Sequence, residues 1–167
     1  MSFRRLVGWL RRSKKTHPSA DAYEWTKELV PTSELFVSEG ALRSQGALAE
    51  VDGQPTYALV HMKDDLAVMH ACVDAETENY WRQQDGHRIA PAPFFFERVA
   101  ILHRKSKNYE AEIAVCELWV ALLEDYRSQG FVKRGSGAKV WLGPKSRKII
   151  ARLPKARELL KRQSERG

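Results

Sequence analysis

The stretch that decides the fold runs from Pro93 to Tyr126 and is PFFFERVAILHRKSKNYEAEIAVCELWVALLEDY. In each half of this stretch, apolar side chains recur at the three- and four-residue spacing that places them on one helix face. The polar run 104–108 separates the halves, and Asn108 suits the N-cap of the second helix. Because a short connection leaves two helices antiparallel, the stretch predicts a helical hairpin.

The hairpin resembles one tetratricopeptide-type repeat, in which an aromatic residue, a large and a small apolar residue and a polar–Tyr turn follow one another. The matching positions are Phe96, Val99, Ala100, Asn108, Tyr109 and Ile113. The sequence departs from the family pattern at Glu112, where a small residue is usual, and at His103, where an aromatic residue is usual. The sequence holds one copy, so the resemblance implies a hairpin with a protein-binding role.

The composition predicts one folded domain with extensions. The chain has 167 residues, of which 43% are hydrophobic, and five tryptophans, which is enough to build a core. It has no apolar run near the roughly 18 to 20 residues that a membrane-spanning helix needs. The two cysteines, Cys72 and Cys116, lie in apolar patterns typical of buried thiols. We therefore expect a cytoplasmic protein that needs no cofactor.

The net charge of +7 is unevenly placed. Residues 1–15 carry +6, residues 145–167 carry +7, and residues 16–144 between them carry −6. This distribution predicts a basic amphipathic N-terminal segment, an α+β globular domain and a basic C-terminal helix or tail. Such asymmetry favours anionic partners that bind the termini, and simple solubility is the alternative explanation.

The N-terminal segment has the pattern of a basic amphipathic helix, with apolar residues on one face and arginines around it. A helix of this kind can bind a membrane surface or nucleic acid, or pack on its own domain. Because the segment is short, packing on the domain or fraying is favoured. The candidate partner-binding residues are Arg4, Arg5, Trp9, Arg11 and Arg12.

Residues 48–73 are interpreted as a small antiparallel β-meander of three strands. Asp52-Gly53 lies between apolar runs, which is a strong hairpin signal. Residues 57–62 and 66–73 would form the next two strands, with a tight turn at 63–65. Because such a sheet needs one face covered, we expect the helical hairpin to cover it.

A second, basic hairpin is expected after Tyr126, with short strands at 131–132 and 140–142. A C-terminal helix then follows over residues 146–163, and Pro154 should kink or split it. The tip of the second hairpin and one side of this helix carry the candidate nucleic-acid or anion-binding residues. These are Lys133, Arg134, Lys139, Lys145, Lys148, Arg152 and Lys155.

No cluster in the sequence specifies a reaction, so we assign no catalytic residue and no metal ligand. A metal-dependent hydrolase or nuclease would draw on His61, Asp64, Asp65 and His70, but nothing in their spacing makes them converge. We favour a non-enzymatic accessory protein that engages a macromolecular partner, with its basic termini adding affinity. The alternative is sequence-independent nucleic-acid binding through phosphate contacts from the basic tip and the C-terminal helix.

Overall fold

The computed structural model describes residues 46–166, which fall into two compact units that divide after Pro91. Residues 46–91 hold three Lys and Arg against eight Asp and Glu, whereas residues 92–166 hold 17 against eight. The first unit is therefore acidic and the second basic. Within the described range, no helix combines the length and the apolar character needed to cross a membrane. The predicted partner-binding residues Arg4, Arg5, Trp9, Arg11 and Arg12 lie outside the described residues.

The first unit begins with a two-stranded antiparallel sheet. Strand β1 (Glu50–Val51) pairs with strand β2 (Gln54–Pro55). Asp52 and Gly53 between them have φ angles of 49° and 80°. Positive φ at both central residues is what a type I′ turn requires, and an Asp-Gly pair adopts it at low cost. The hairpin predicted at Asp52-Gly53 is confirmed.

The other two predicted strands are helical, so the three-stranded meander is wrong. A 3-10 helix covers Thr56–Met62, and helix α1 covers Leu66–Arg82. Asp65 is not a turn residue between strands, because its Oδ1 caps α1 by accepting the N–H groups of Ala67 and Val68 at 2.8 and 3.1 Å. Periodicity alone does not distinguish a strand from a helix in a short apolar run. The described residues keep the α+β class only in its coarse form: they are mostly helical with a small two-stranded sheet.

Helix α1 packs against the 3-10 helix and β1. Leu59, Met69 and Tyr80 are fully buried in this unit. One buried polar contact links the same elements, since Thr56 Oγ1 donates to Glu76 Oε1 at 2.6 Å. Pairing of this kind offsets the cost of removing the Glu76 carboxyl group from water.

The second unit is built on the predicted helical hairpin, which is confirmed. Helix α2 spans Pro93–Lys105 and helix α3 spans Tyr109–Ser128. They are followed by the short helix α4 (Gly130–Lys133), a 3-10 turn at Val140–Leu142 and helix α5 (Pro144–Ser164). Helix α5 packs on both helices of the hairpin. That the hairpin also covers the sheet stays a prediction.

The turn between α2 and α3 follows a Schellman motif. Lys107 has a φ of 56°, and the N–H groups of Lys107 and Asn108 donate back to carbonyls of α2 at 3.0 and 2.9 Å. The Asn108 side chain then accepts the Ala111 N–H at 3.2 Å, which confirms the predicted N-cap. The two caps keep the connection short and return α3 along α2.

The basic hairpin predicted before α5 is wrong, because its two expected strands are a helical turn and a 3-10 turn. The loop between them folds back onto the end of α3, where Tyr126 donates its hydroxyl to the Ala138 carbonyl at 3.1 Å. Gly137 permits this approach: a Cβ there would lie 2.6 Å from Cγ2 of Val132. Strand pairing is replaced by packing on the helices.

Helix α5 continues through Pro154, so the predicted split is wrong, whereas a kink at Pro154 stays a prediction. Proline removes the hydrogen bond to the carbonyl of Ile150, but Pro154 is exposed and Ile150 is 41% exposed, so water can satisfy that carbonyl. Ile149 and Ala156 are fully buried on either side of the proline. Their burial holds both halves of α5 on the hairpin.

The cap of α1 gives a first prediction. Replacing Asp65 by alanine should lower the free energy of unfolding by about 1 kcal/mol, because two helix N–H groups lose their acceptor. Urea denaturation followed by circular dichroism measures the change. Asp65→Asn keeps an acceptor oxygen and should restore most of the loss. Equal stability of the alanine and asparagine variants would contradict the capping role.

Candidate anion-binding surface

The structure places the predicted anion-binding residues in two different settings. Most of them lie in the segment from the end of α4 to the second turn of α5. Arg152 lies farther along α5 and has an internal partner, and Lys155 is exposed beyond it. The residues near the start of α5 are Lys133, Arg134, Lys139, Lys145 and Lys148.

The beginnings of α2 and α5 lie side by side. Lys145 Nζ is 5.6 Å from the centroid of the Phe94 ring, which is within cation–π range. One turn later, Lys148 Nζ is 3.8 Å from Oε1 of Glu97. Both contact positions advance by three residues in the same direction, so α2 and α5 run parallel and start at the same end of the unit.

The end of α3 reaches the same place. The guanidinium carbon of Arg127, in the last turn of α3, is 5.2 Å from the centroid of the Trp141 ring. Trp141 belongs to the 3-10 turn directly before α5. The loop tied to Tyr126 carries Arg134 and Lys139, and both of these cations are exposed.

We call this region the basic end. Its carboxylates are Glu97, which is buried, and Glu124 and Asp125 on the last turns of α3. Neither α2 nor α5 has a side-chain cap at its N-terminus, so the positive ends of both helix dipoles add to the local potential. The cations of the basic end are Arg127, Lys133, Arg134, Lys139, Lys145, Arg147 and Lys148.

A second group of charges is buried and joins the three long helices. Glu112 of α3 is fully buried, and it accepts a hydrogen bond from Arg104 Nε of α2 at 2.8 Å. It accepts another from Arg152 Nη1 of α5 at 3.0 Å. Arg104 also donates to the backbone carbonyl of Arg152 at 3.3 Å. We call these residues the Arg–Glu–Arg cluster.

The buried His103 lies at the end of α2, next to the Arg–Glu–Arg cluster in sequence. Burial lowers its pKa from the ordinary value of 6.5, and the negative charge of Glu112 opposes that shift in part. The imidazole is therefore neutral at pH 7.

Two of the residues considered for metal-dependent hydrolysis, His61 and Asp65, have local roles. His61 Nδ1 lies 2.9 Å from the Ala58 carbonyl, and Asp65 caps α1. In residues 46–166, no three His, Cys, Asp or Glu side chains are grouped in a way that suits a metal ion. Burial raises the pKa of the Cys116 thiol to about 12 and raises that of Cys72 as well. Both thiols are protonated at neutral pH, a state of low nucleophilicity.

Comparison with protein-family models, curated proteins and solved structures finds no match for this chain. The resemblance to one tetratricopeptide-type repeat therefore stays a prediction from its own residues. Helices α2 and α3 have the hairpin geometry that the resemblance implies.

Sequence analysis missed Phe94, Arg127 and Trp141 as parts of the basic end. A signal was present, since Trp141 stands between Lys139 and Lys145, and aromatic residues interleaved with cations are common at nucleic-acid surfaces. The assignment of residues 140–142 to a strand concealed it. Arg127 joins the surface only because α3 ends beside Trp141.

The Arg–Glu–Arg cluster gives a second prediction. Replacing Glu112 by glutamine should lower the free energy of unfolding by about 3–5 kcal/mol, because two partly buried guanidinium groups lose their counter-charge. Glu117→Gln is the matched control, since it removes the exposed ion pair between Glu117 of α3 and Arg157 of α5. The side chains of Arg157 and Glu117 are 59% and 48% exposed. That variant should lose at most about 1 kcal/mol. Equal losses in urea denaturation would contradict the structural weight given to Glu112.

His103 gives a third prediction. Because its pKa is lowered in the folded state, the unfolded chain binds the proton more readily below pH 6.5. The free energy of unfolding should therefore fall as the pH drops through and below that value. His103→Phe should remove this contribution, so the difference between wild type and variant should be constant above pH 7 and change below about 6.5. Parallel stability curves from pH 5 to 8, within about 0.3 kcal/mol, would contradict it.

Proposed function

We propose that this chain is a non-enzymatic binding protein and that its basic end engages a macromolecule carrying many closely spaced negative charges. The carrying observation is the concentration of seven cations at one end of the second unit, against three carboxylates of which Glu97 is buried. The proposal requires no reacting group. Arg4, Arg5, Trp9, Arg11 and Arg12 would add a second electrostatic contact, and the cytoplasm is the proposed location.

The spacing of the cations favours an extended polyanion over a small anion. They come from the end of α3, from α4, from the following loop and from the first two turns of α5. Lys133, Arg134 and Lys139 are all exposed and make no ion pair with a described carboxylate within 4 Å. Exposed cations bind phosphate groups by releasing condensed counterions, which needs no base reading.

Other cations of the second unit are paired with carboxylates inside the fold, which narrows where the binding surface can lie. Arg104 and Arg152 belong to the Arg–Glu–Arg cluster, and Arg157 pairs with Glu117 at 2.8 Å. Part of the positive charge of α5 is therefore used within the fold. The excess that remains is greatest where α5 starts, which is why we place the binding surface there.

Titration of the full chain with a random-sequence DNA duplex and with polyglutamate tests the proposal. Up to seven phosphate contacts predict an affinity for DNA that falls on the order of 10³- to 10⁴-fold between about 50 and 200 mM salt. The triple variant Lys133→Gln, Arg134→Gln, Lys139→Gln should reduce the slope of log affinity against log salt by about three.

The matched control is Lys105→Gln, Lys161→Gln, Arg166→Gln. It removes the same charge from exposed positions outside the basic end. It should leave the salt slope near that of the wild type. Equal effects of both triple variants would contradict a localised surface. Absence of binding to either polyanion at low salt would overturn the proposed function itself.

A further inference from the structure

We infer that the partner of the basic end is single-stranded nucleic acid, whose bases stack on Trp141 and Phe94 while its phosphates contact the surrounding cations. This inference rests on the proposed function and specifies its partner. It depends on the rings as well as the charges, because aromatic side chains offer planar surfaces on which unpaired bases stack.

Trp141 is partly exposed, and Arg127 lies over its ring at 5.2 Å. Its neighbour Leu142 is 49% exposed, so the 3-10 turn presents apolar surface between the cations Lys139 and Lys145. A single exposed apolar side chain is ordinary. A tryptophan with a guanidinium group on it and lysines on both sides matches what single-strand binding surfaces combine.

Phe94 repeats the arrangement on the neighbouring helix. The next two residues, Phe95 and Phe96, are fully buried, while Phe94 is partly exposed with Lys145 at 5.6 Å. Lys145 thus lies beside the Phe94 ring in space, and it follows Trp141 by four positions in sequence. The basic end therefore offers two rings and a backbone-binding set of cations on one end of the bundle.

Other polyanions would use this surface less fully. In duplex DNA the base faces are stacked on one another, so the rings would contribute little and only phosphate contacts would remain. Helix α3 is also unsuited to a duplex groove, because it exposes Glu110, Glu117 and Glu124. An acidic peptide would pair with the cations but has no series of planar groups for the rings. Unpaired bases engage both components.

Fluorescence anisotropy with a labelled thymidine oligonucleotide of about 15 nucleotides, and with a duplex of the same length, tests the inference. The wild-type chain should bind the single strand more tightly than the duplex at equal salt. Trp141→Ala should weaken single-strand binding roughly 5- to 100-fold and change duplex binding by less than about 2-fold. Trp141→Phe should recover most of the affinity, because it restores a ring.

Trp81→Ala is the matched control. Trp81 is 40% exposed with Arg88 at 4.9 Å over its ring, but it lies in the acidic unit, so its loss should leave single-strand affinity unchanged. Circular dichroism confirms that each variant is folded, and Phe94→Leu provides a second reading if Trp141→Ala is not. Equal binding of single strand and duplex, insensitivity to both ring substitutions, or tighter binding of polyglutamate would overturn the inference while leaving the proposed function intact. Absence of binding to any of the three would overturn both.

Discussion

The second unit depends on one buried carboxylate. Glu112 is fully removed from water, which costs several kcal/mol unless the charge is paired and hydrogen-bonded. Arg104 and Arg152 supply that pairing from the two helices on either side of α3. Helix α5 fully buries two apolar side chains, Ile149 and Ala156, and the hydrogen bonds to Glu112 add to that packing. The hydrogen bonds to Glu112 fix where α5 lies along the hairpin, and that position brings its first turns beside the start of α2.

The same pairing divides the cations into two kinds. Those of the Arg–Glu–Arg cluster are partly buried and link the helices, whereas Lys133, Arg134 and Lys139, which precede α5, are exposed to solvent. The units differ in the same sense, since residues 46–91 are acidic and residues 92–166 are basic. The uneven charge in the sequence therefore separates the two units, and it does not only distinguish the chain termini from the middle of the chain. Exposed cations favour binding to phosphate groups, because the contact releases condensed counterions.

What could be predicted from sequence was local. The hairpin followed from the spacing of apolar residues in 93–126, and Asn108 marked the start of α3, because caps and helix faces involve residues close in sequence. Residues 66–73 were misassigned because a short apolar run suits a strand or a helix, and Asp65 decides between them only as a cap. Arg152 was grouped with surface lysines, since its partner Glu112 is 40 positions away. Nothing in the spacing around Glu112 indicates a buried carboxylate with two arginine partners.

The candidate site shows the same limit. Its lysines were found by charge, but its rings were not, because Trp141 and Arg127 meet only through the fold of α3 and the loop that follows it.

The most direct measurement is a nuclear magnetic resonance titration of the isotope-labelled chain with a thymidine oligonucleotide. Amide shifts concentrated at residues 94–98, 127 and 133–148 would be the expected result. Shifts concentrated in residues 46–91, or in the second half of α5, would show that the basic end is not where the partner binds.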